Sequence, residues 1–269
     1  MTLIKNNNGF TLIEILVALV IDFFVLAAIY SAFYSQQKSH VKEQQVVDAQ
    51  QNVRGAAAFM TREIRLAGKE GKDTAVAGIL AAGPNSIQFT LDRDDTGNIT
   101  DPYDNIRFGF PAAADAIAPF GIADAEAASI TRYSINAVPI ADDPIADNIH
   151  AIAFAYAFDE DRDGELDFVD AAPFNGRLDP GEEIWAYDSP DTADVGLDKN
   201  NATGLDLPEV ISFDRIRAVR IWILARTRNP LRGDATTKNF VVGDKIVNPT
   251  DNYQYRLLTA TVVCRNLGI

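Results

Sequence analysis

The sequence predicts an α+β fold in which one long N-terminal helix packs on an antiparallel β-sheet. Three observations predict it. The chain opens with an apolar run from Phe10 to about Tyr34, about long enough to cross a bilayer as a helix at ~1.5 Å per residue. That run passes, with no Gly or Pro before Gly55, into a stretch with one apolar stripe. Beyond Gly71 the apolar residues change to a period of two, the pattern of strands with a buried face.

The helix extends over about 10–67. Its apolar positions after the first half are Val46, Val53, Ala57, Met60, Ile64 and Ala67, with Gln50 at the missing step. Intervals of four and three place these on one face, so the second half packs on a globular domain. Gly68 ends the helix in the usual C-terminal position. Gly55 weakens it, by about 1 kcal/mol relative to Ala.

Strands follow at Ile87-Phe89-Leu91 and Ile106-Phe108-Phe110. In 149–158, small and large residues alternate, with Ile152, Phe154, Tyr156 and Phe158 on one face. Val219, Ile221 and Ile223 alternate with Arg220, Trp222 and Leu224, which predicts a strand buried on much of both faces. Tyr255 to Cys264 is the last long strand. The alanine-rich stretch 111–128 reads as a loop or a short helix. Residues 159–209 read as one long acidic loop, a length unusual without a ligand or a function. The predicted division is a leader 1–9, a membrane helix 10–34, an amphipathic helix 35–68 and a β-rich domain 69–269.

The leader carries Lys5 and ends in Gly9, followed by Phe10-Thr11-Leu12-Ile13-Glu14. An acid in lipid costs roughly 2–3 kcal/mol or more, so Glu14 suggests a partner. An ordinary signal peptide is cut after its apolar core. Here the glycine precedes the core, and cutting at Gly9 keeps the helix on the mature chain. The "GFTLIE" string and the helix resemble the prepilin signal of type IV pilins and type II secretion pseudopilins. The resemblance implies cleavage between Gly9 and Phe10 by a membrane prepilin peptidase, then N-methylation of Phe10. It also implies that Glu14 faces the Phe10 amine of a neighbouring pilin, where each charge satisfies the other.

Three further stretches narrow the resemblance. "QQNVRGAAAFMTREIRLAG" (50–68), "FDRIRAVRIWILARTR" (213–228) and "YRLLTATVVCRNLGI" (255–269) resemble the helix and closing strands of PilW-like minor pilins. This implies a subunit of the bacterial inner membrane that joins a minor-pilin complex priming or tipping a pilus. The J-type pseudopilin of type II secretion is a near alternative, and a tip-exposed adhesin or DNA-uptake module is another. Lys5 before the span and few basic residues just after it fit a periplasmic globular domain.

The formal charge is −14 over 269 residues. Such acidity argues against nucleic acid as a partner and favours divalent cations. Arg215, Arg217, Arg220, Arg226 and Arg228 cluster on a strand and read as sheet-face or interface contacts. The single cysteine, Cys264, excludes an intramolecular disulfide and reads as a small buried hydrophobe. His40 and His150, the two histidines, read as helix-surface or strand residues rather than metal ligands. No nucleophile constellation or phosphate loop is present, so no enzyme is expected. Asp22 lies within the span, and its role stays open.

The sharpest chemical pattern runs from Asp159 to Asp170. Asp159, Asp161, Asp163, Asp167 and Asp170 stand at loop positions one, three, five, nine and twelve, with Gly164 at six. This is the spacing of a calcium loop, in which alternate residues of a curling turn point oxygens inward. The Glu165 carbonyl supplies a backbone ligand, and Leu166 is expected to anchor the loop in the core. The expected cofactor is structural calcium. A second candidate is Asp92, Asp94, Thr96 and Asn98, with Gly97 at six and Asp101 and Asp104 flanking; it reads equally as a hairpin loop. A third, looser cluster is Asn175, Asp179, Glu182 and Glu183.

Overall fold

The structure, a computed structural model, describes residues 10–70, 77–111, 128–168, 185–189, 196–231 and 238–267. The leader, most of the alanine-rich stretch, Asp170 and the third acidic cluster lie outside the described residues.

Helix α1 spans Leu12–Ile64, slightly shorter than the expected 10–67. Residues 65–68 are in turn conformation, and Gly68 is the last of them. The chain divides into two compact units, residues 1–45 and 46–269. In the first, every described residue up to Val41 is exposed, and a window of α1 has mean hydropathy 2.8. It is long and apolar enough to cross a membrane. The second unit begins with the buried stripe Ala49, Val53, Ala56, Ala57, Met60 and Ile64. Gly55 carries nothing close to its Cβ position and does not interrupt the helix.

Gly68 shows why glycine ends this segment. Its φ is +75°, a left-handed value, and a Cβ there would lie 2.4 Å from Leu267 Cδ2. Its N–H donates to the Thr90 carbonyl at 3.0 Å, which passes the chain from helix to sheet.

Among the described residues, the sheet has ten antiparallel strands. In chain order these are β1 (Ile79–Ala82), β2 (Ile87–Thr90), β3 (Asn105–Gly109), β4 (Ala128–Ser134), β5 (Ala141–Phe158), β6 (Ala186–Tyr187), β7 (Leu197–Asn200) and β8 (Asp206–Ile211). They pair in that order. After a short 3-10 turn, β9 (Ile216–Arg226) pairs with β5 on one side and β12 (Tyr255–Val263) on the other. Strands β10 (Phe240–Val242) and β11 (Lys245–Val247) form a separate hairpin.

Alternation along β5 sorts two cores. Ile152, Phe154, Tyr156 and Phe158 join the cluster that contains Met60 and Ile64 of the helix. Ala151, Ala153, Ala155 and Ala157 face the other way, where Trp185, Trp222, Val242 and Val247 cover them. The small residues leave room for the indoles and for the β10–β11 hairpin. Strand β9 is buried on both faces, as expected.

One expectation needs correction. The segment 159–209 is not a single loop, because it contains β6, β7 and most of β8. These strands are two to six residues long, too short to show a period, and their ladder bonds rather than an apolar face define them.

Candidate functional site

Phe10 is 86% exposed, and Gly9 lies outside the described residues. Glu14 stands in the first turn of α1. Its Oε2 accepts the backbone N–H and the hydroxyl of Thr11, both at 2.8 Å, while the Glu14 N–H donates to Thr11 Oγ1 at 3.3 Å. This reciprocal arrangement caps the helix and satisfies orphan donors. The sequence reading missed Thr11 as the partner of Glu14, although the Thr-x-x-Glu spacing was its signal.

In the second unit, the loop after β5 brings together Asp159, Asp161 and Asp163. One oxygen from each lies within 4.8 Å of the others, a separation that fits ligands ~2.3–2.6 Å from one calcium ion. Asp159 is 1% exposed. Its Oδ2 lies 3.4 Å from Arg217 Nε, and its Oδ1 is buried without a hydrogen-bond partner among the described residues. Arg217 instead donates from Nη1 to the carbonyls of Asp214 and Ile216.

The rest of the loop is shaped by its own amides. Asp161 Oδ1 accepts the Asp163 N–H at 3.0 Å, and Asp163 Oδ1 accepts the Glu165 N–H at 2.8 Å. Gly164 takes φ +90° at the sixth position, where the spacing demanded a sharp turn. The Asp167 N–H returns to the Phe158 carbonyl at 2.9 Å and its carboxylate accepts the Glu160 N–H, so it closes the loop rather than joining the three acids. Leu166 is 44% exposed and does not anchor the loop in the core; closure by Asp167 replaces that anchor. Glu165 is exposed and outside the carboxylate group. Asp159 and Asp163 border an open cleft of about 980 Å³ with Gly68, Arg217 and Leu267.

The loop between β2 and β3 gathers a second group: Asp92, Asp94 and Asp104, again within 4.8 Å. Asp92 is fully buried and Asp104 is 1% exposed. Asp92 accepts the Gly97 N–H at 2.7 Å and the Thr96 N–H at 3.1 Å. Burial pushes its carboxyl up, but these amides outweigh burial and hold it below the ordinary carboxylate value. Asp104 Oδ1 accepts the Arg93 N–H at 3.3 Å, while Oδ2 is buried without a partner among the described residues. Burial, then the neighbouring carboxylates of Asp94, Asp92 and Asp101, raises the Asp104 carboxyl. Thr96 Oγ1 and Asn98 Nδ2 both donate to Asp101, at 3.0 and 2.8 Å. The sequence reading counted Asp104 only as a flanking acid.

The apolar helix, the capped Glu14 and the antiparallel sheet set the context for the comparisons. A family model described as Type IV Pilus-assembly protein W matches residues 123–266, just over half of the chain. The chain belongs to the PilW family. A second model, the prokaryotic N-terminal methylation motif, matches residues 4–30. Together they identify a PilW-like type IV minor pilin that carries the prepilin processing motif. A similar solved structure is a type IV-like pilin from Thermus thermophilus, 13% identical, covering 81% of this chain and 97% of that chain with a TM-score of 0.41. No curated protein matches the chain in sequence. PilW membership implies other pilins as partners, and the motif implies a prepilin peptidase. The motif and the apolar helix point to membrane anchoring before pilus assembly.

Proposed function

We propose that this PilW-like chain is cut between Gly9 and Phe10, methylated at Phe10, and joins a minor-pilin complex that primes or tips a pilus. The globular domain lies in the periplasm before assembly and makes lateral contacts with neighbouring subunits. Glu14 faces the Phe10 amine of a neighbour. The observation that carries this reading is that α1 exposes every described residue up to Val41. Water is an unfavourable solvent for such a surface, whereas lipid or a bundle of like helices covers it.

Calcium at Asp159, Asp161 and Asp163 holds the loop after β5 in place. The donors are all hard oxygens, which suit calcium and not a nitrogen- or sulfur-seeking ion. The buried Oδ1 of Asp159, lacking a hydrogen-bond partner among the described residues, supports this assignment, since an unpaired buried carboxylate oxygen is costly.

Mass spectrometry of the membrane-extracted protein tests the processing. The expected N-terminus is methylated Phe10, and an intact leader refutes it. Glu14→Ala, still inserted in the membrane, is expected to assemble poorly; normal piliation removes the role given to this acid.

A further inference from the structure

We propose that Asp92, Asp94 and Asp104 form a second divalent-cation site, which ties the loop between β2 and β3 to the end of the filament helix. It is independent of the loop after β5 and goes beyond the reading above.

Three observations carry it. First, the acids converge from both ends of the loop. Asp92 and Asp94 follow β2, Asp104 precedes β3, and one oxygen from each lies within 4.8 Å of the others. Second, Asp104 is 1% exposed and its Oδ2 has no hydrogen-bond partner among the described residues. A buried carboxylate oxygen beside two other carboxylates needs a cation to offset both desolvation and repulsion. Third, two cations of the described neighbouring segments are engaged elsewhere. Arg93 turns its guanidinium to Glu63 at 2.7 Å, and Lys69 its ammonium to Asp95 at 2.8 Å.

The local backbone is already shaped for an ion. Asp92 takes the N–H groups of Thr96 and Gly97, which curls the chain, and Asp104 takes the N–H of Arg93. The oxygen-only set favours calcium. Zinc prefers nitrogen and sulfur, and magnesium demands a near-ideal octahedron at ~2.0–2.1 Å.

The position gives the site a consequence. Arg93 stands between two of the acids and its guanidinium grips Glu63, which is buried near the C-terminal end of α1. The Asp92 N–H donates to the Lys69 carbonyl just past Gly68 at 2.8 Å. An ion that fixes Asp92, Asp94 and Asp104 therefore also fixes the two links by which this loop holds the helix end.

The test is calcium bound per chain, measured by equilibrium dialysis on the full-length protein in detergent micelles, with calcium alone as the probe. The wild-type chain is expected to take up two ions. Asp104→Asn and Asp94→Asn are each expected to take up one, and Asp163→Asn also one. Asp94 is exposed, so its variant reports binding even if Asp104→Asn fails to fold. Calcium is expected to raise the melting temperature of Asp163→Asn by about 5 °C or more at a large excess over Kd. The same calcium should have no effect on the Asp94→Asn/Asp163→Asn double variant. Wild-type stoichiometry in Asp94→Asn overturns the site, as does a single wild-type ion that Asp163→Asn alone removes. A single ion that Asp94→Asn removes and Asp163→Asn retains supports it, and refutes the loop after β5 instead.

Discussion

Replacing Glu63 by Gln separates the two arginines that meet it. Arg93 is nearer, at 2.7 Å, but its side chain is 44% exposed; Arg132 is farther, at 3.7 Å, but only 8% exposed. With water's dielectric the first pair is worth about 1.5 kcal/mol before desolvation, and at an effective dielectric of ~20 the second is worth about 4.5 kcal/mol. Burial outweighs distance, so Arg132 governs the response. Removing the Glu63 charge leaves the Arg132 guanidinium with the Ser134 hydroxyl at 2.7 Å and with Asp143, 3.9 Å away and largely exposed. The expected loss for Glu63→Gln is about 3 kcal/mol, since breaking a buried pair strands its partner. Arg93→Ala leaves Glu63 facing Arg132 and should cost under about 1 kcal/mol. Glu63→Leu with Arg132→Met removes both buried charges and should recover most of the loss. The assay is thermal unfolding of the full chain in detergent, followed by fluorescence of Trp185 and Trp222, which are 4% and 8% exposed. The Glu63→Gln shift should be roughly 6–12 °C. If Arg93→Ala is as damaging as Glu63→Gln, or the double variant is no better than the single, the reasoning is wrong.

Two further outcomes follow from positions in the same unit. Gly68→Ala puts a side chain at φ +75° and 2.4 Å from Leu267 Cδ2, which should destabilise by about 2–4 kcal/mol in the same unfolding assay; adding Leu267→Ala should relieve the clash but not the backbone strain. Asp188 is raised to about 6 by burial and then by Asp198, so the folded chain binds this proton more tightly than the unfolded one. Its contribution to stability is greatest below about pH 4 and falls as pH rises through about 6. Asp188→Asn should remove that slope and stabilise the protein at pH 7 by roughly 1–2 kcal/mol, the full shift being discounted for partial exposure. An unchanged stability–pH curve would contradict this assignment.

The helix and the central strands were legible because burial writes them into the sequence. Met60 and Ile64 recur at helical spacing, and the small–large alternation of 149–158 separates the two cores that β5 divides. The first part of β5 was not legible. Asp142, Asp143 and Pro144 are exposed, and that part is a strand because it pairs with β4, not because it hides a face. The site residues divide similarly. A linear template finds Asp159, Asp161 and Asp163 because the turn that gathers them is local. Asp104 falls one place beyond the template's last position. The chain folds back there through Tyr103, at φ +78°, and Asp104 enters the group from the far end of the loop. Counting along a chain finds ligands within a turn and misses those supplied by loop closure.

The bare surface of α1 makes this chain a protein of two solvents. Residues 46–269 carry their own core, whereas the residues from Phe10 to Val41 are all exposed. Hydrocarbon and a sheath of apolar helices are nearly the same medium for Leu, Ile and Phe side chains. Moving this helix from one to the other therefore leaves most of its transfer free energy unchanged. Greasiness keeps the segment out of water but does not choose between bilayer and filament. That choice falls to polar groups along it, such as the Glu14 carboxylate proposed above to meet a neighbour's Phe10 amine.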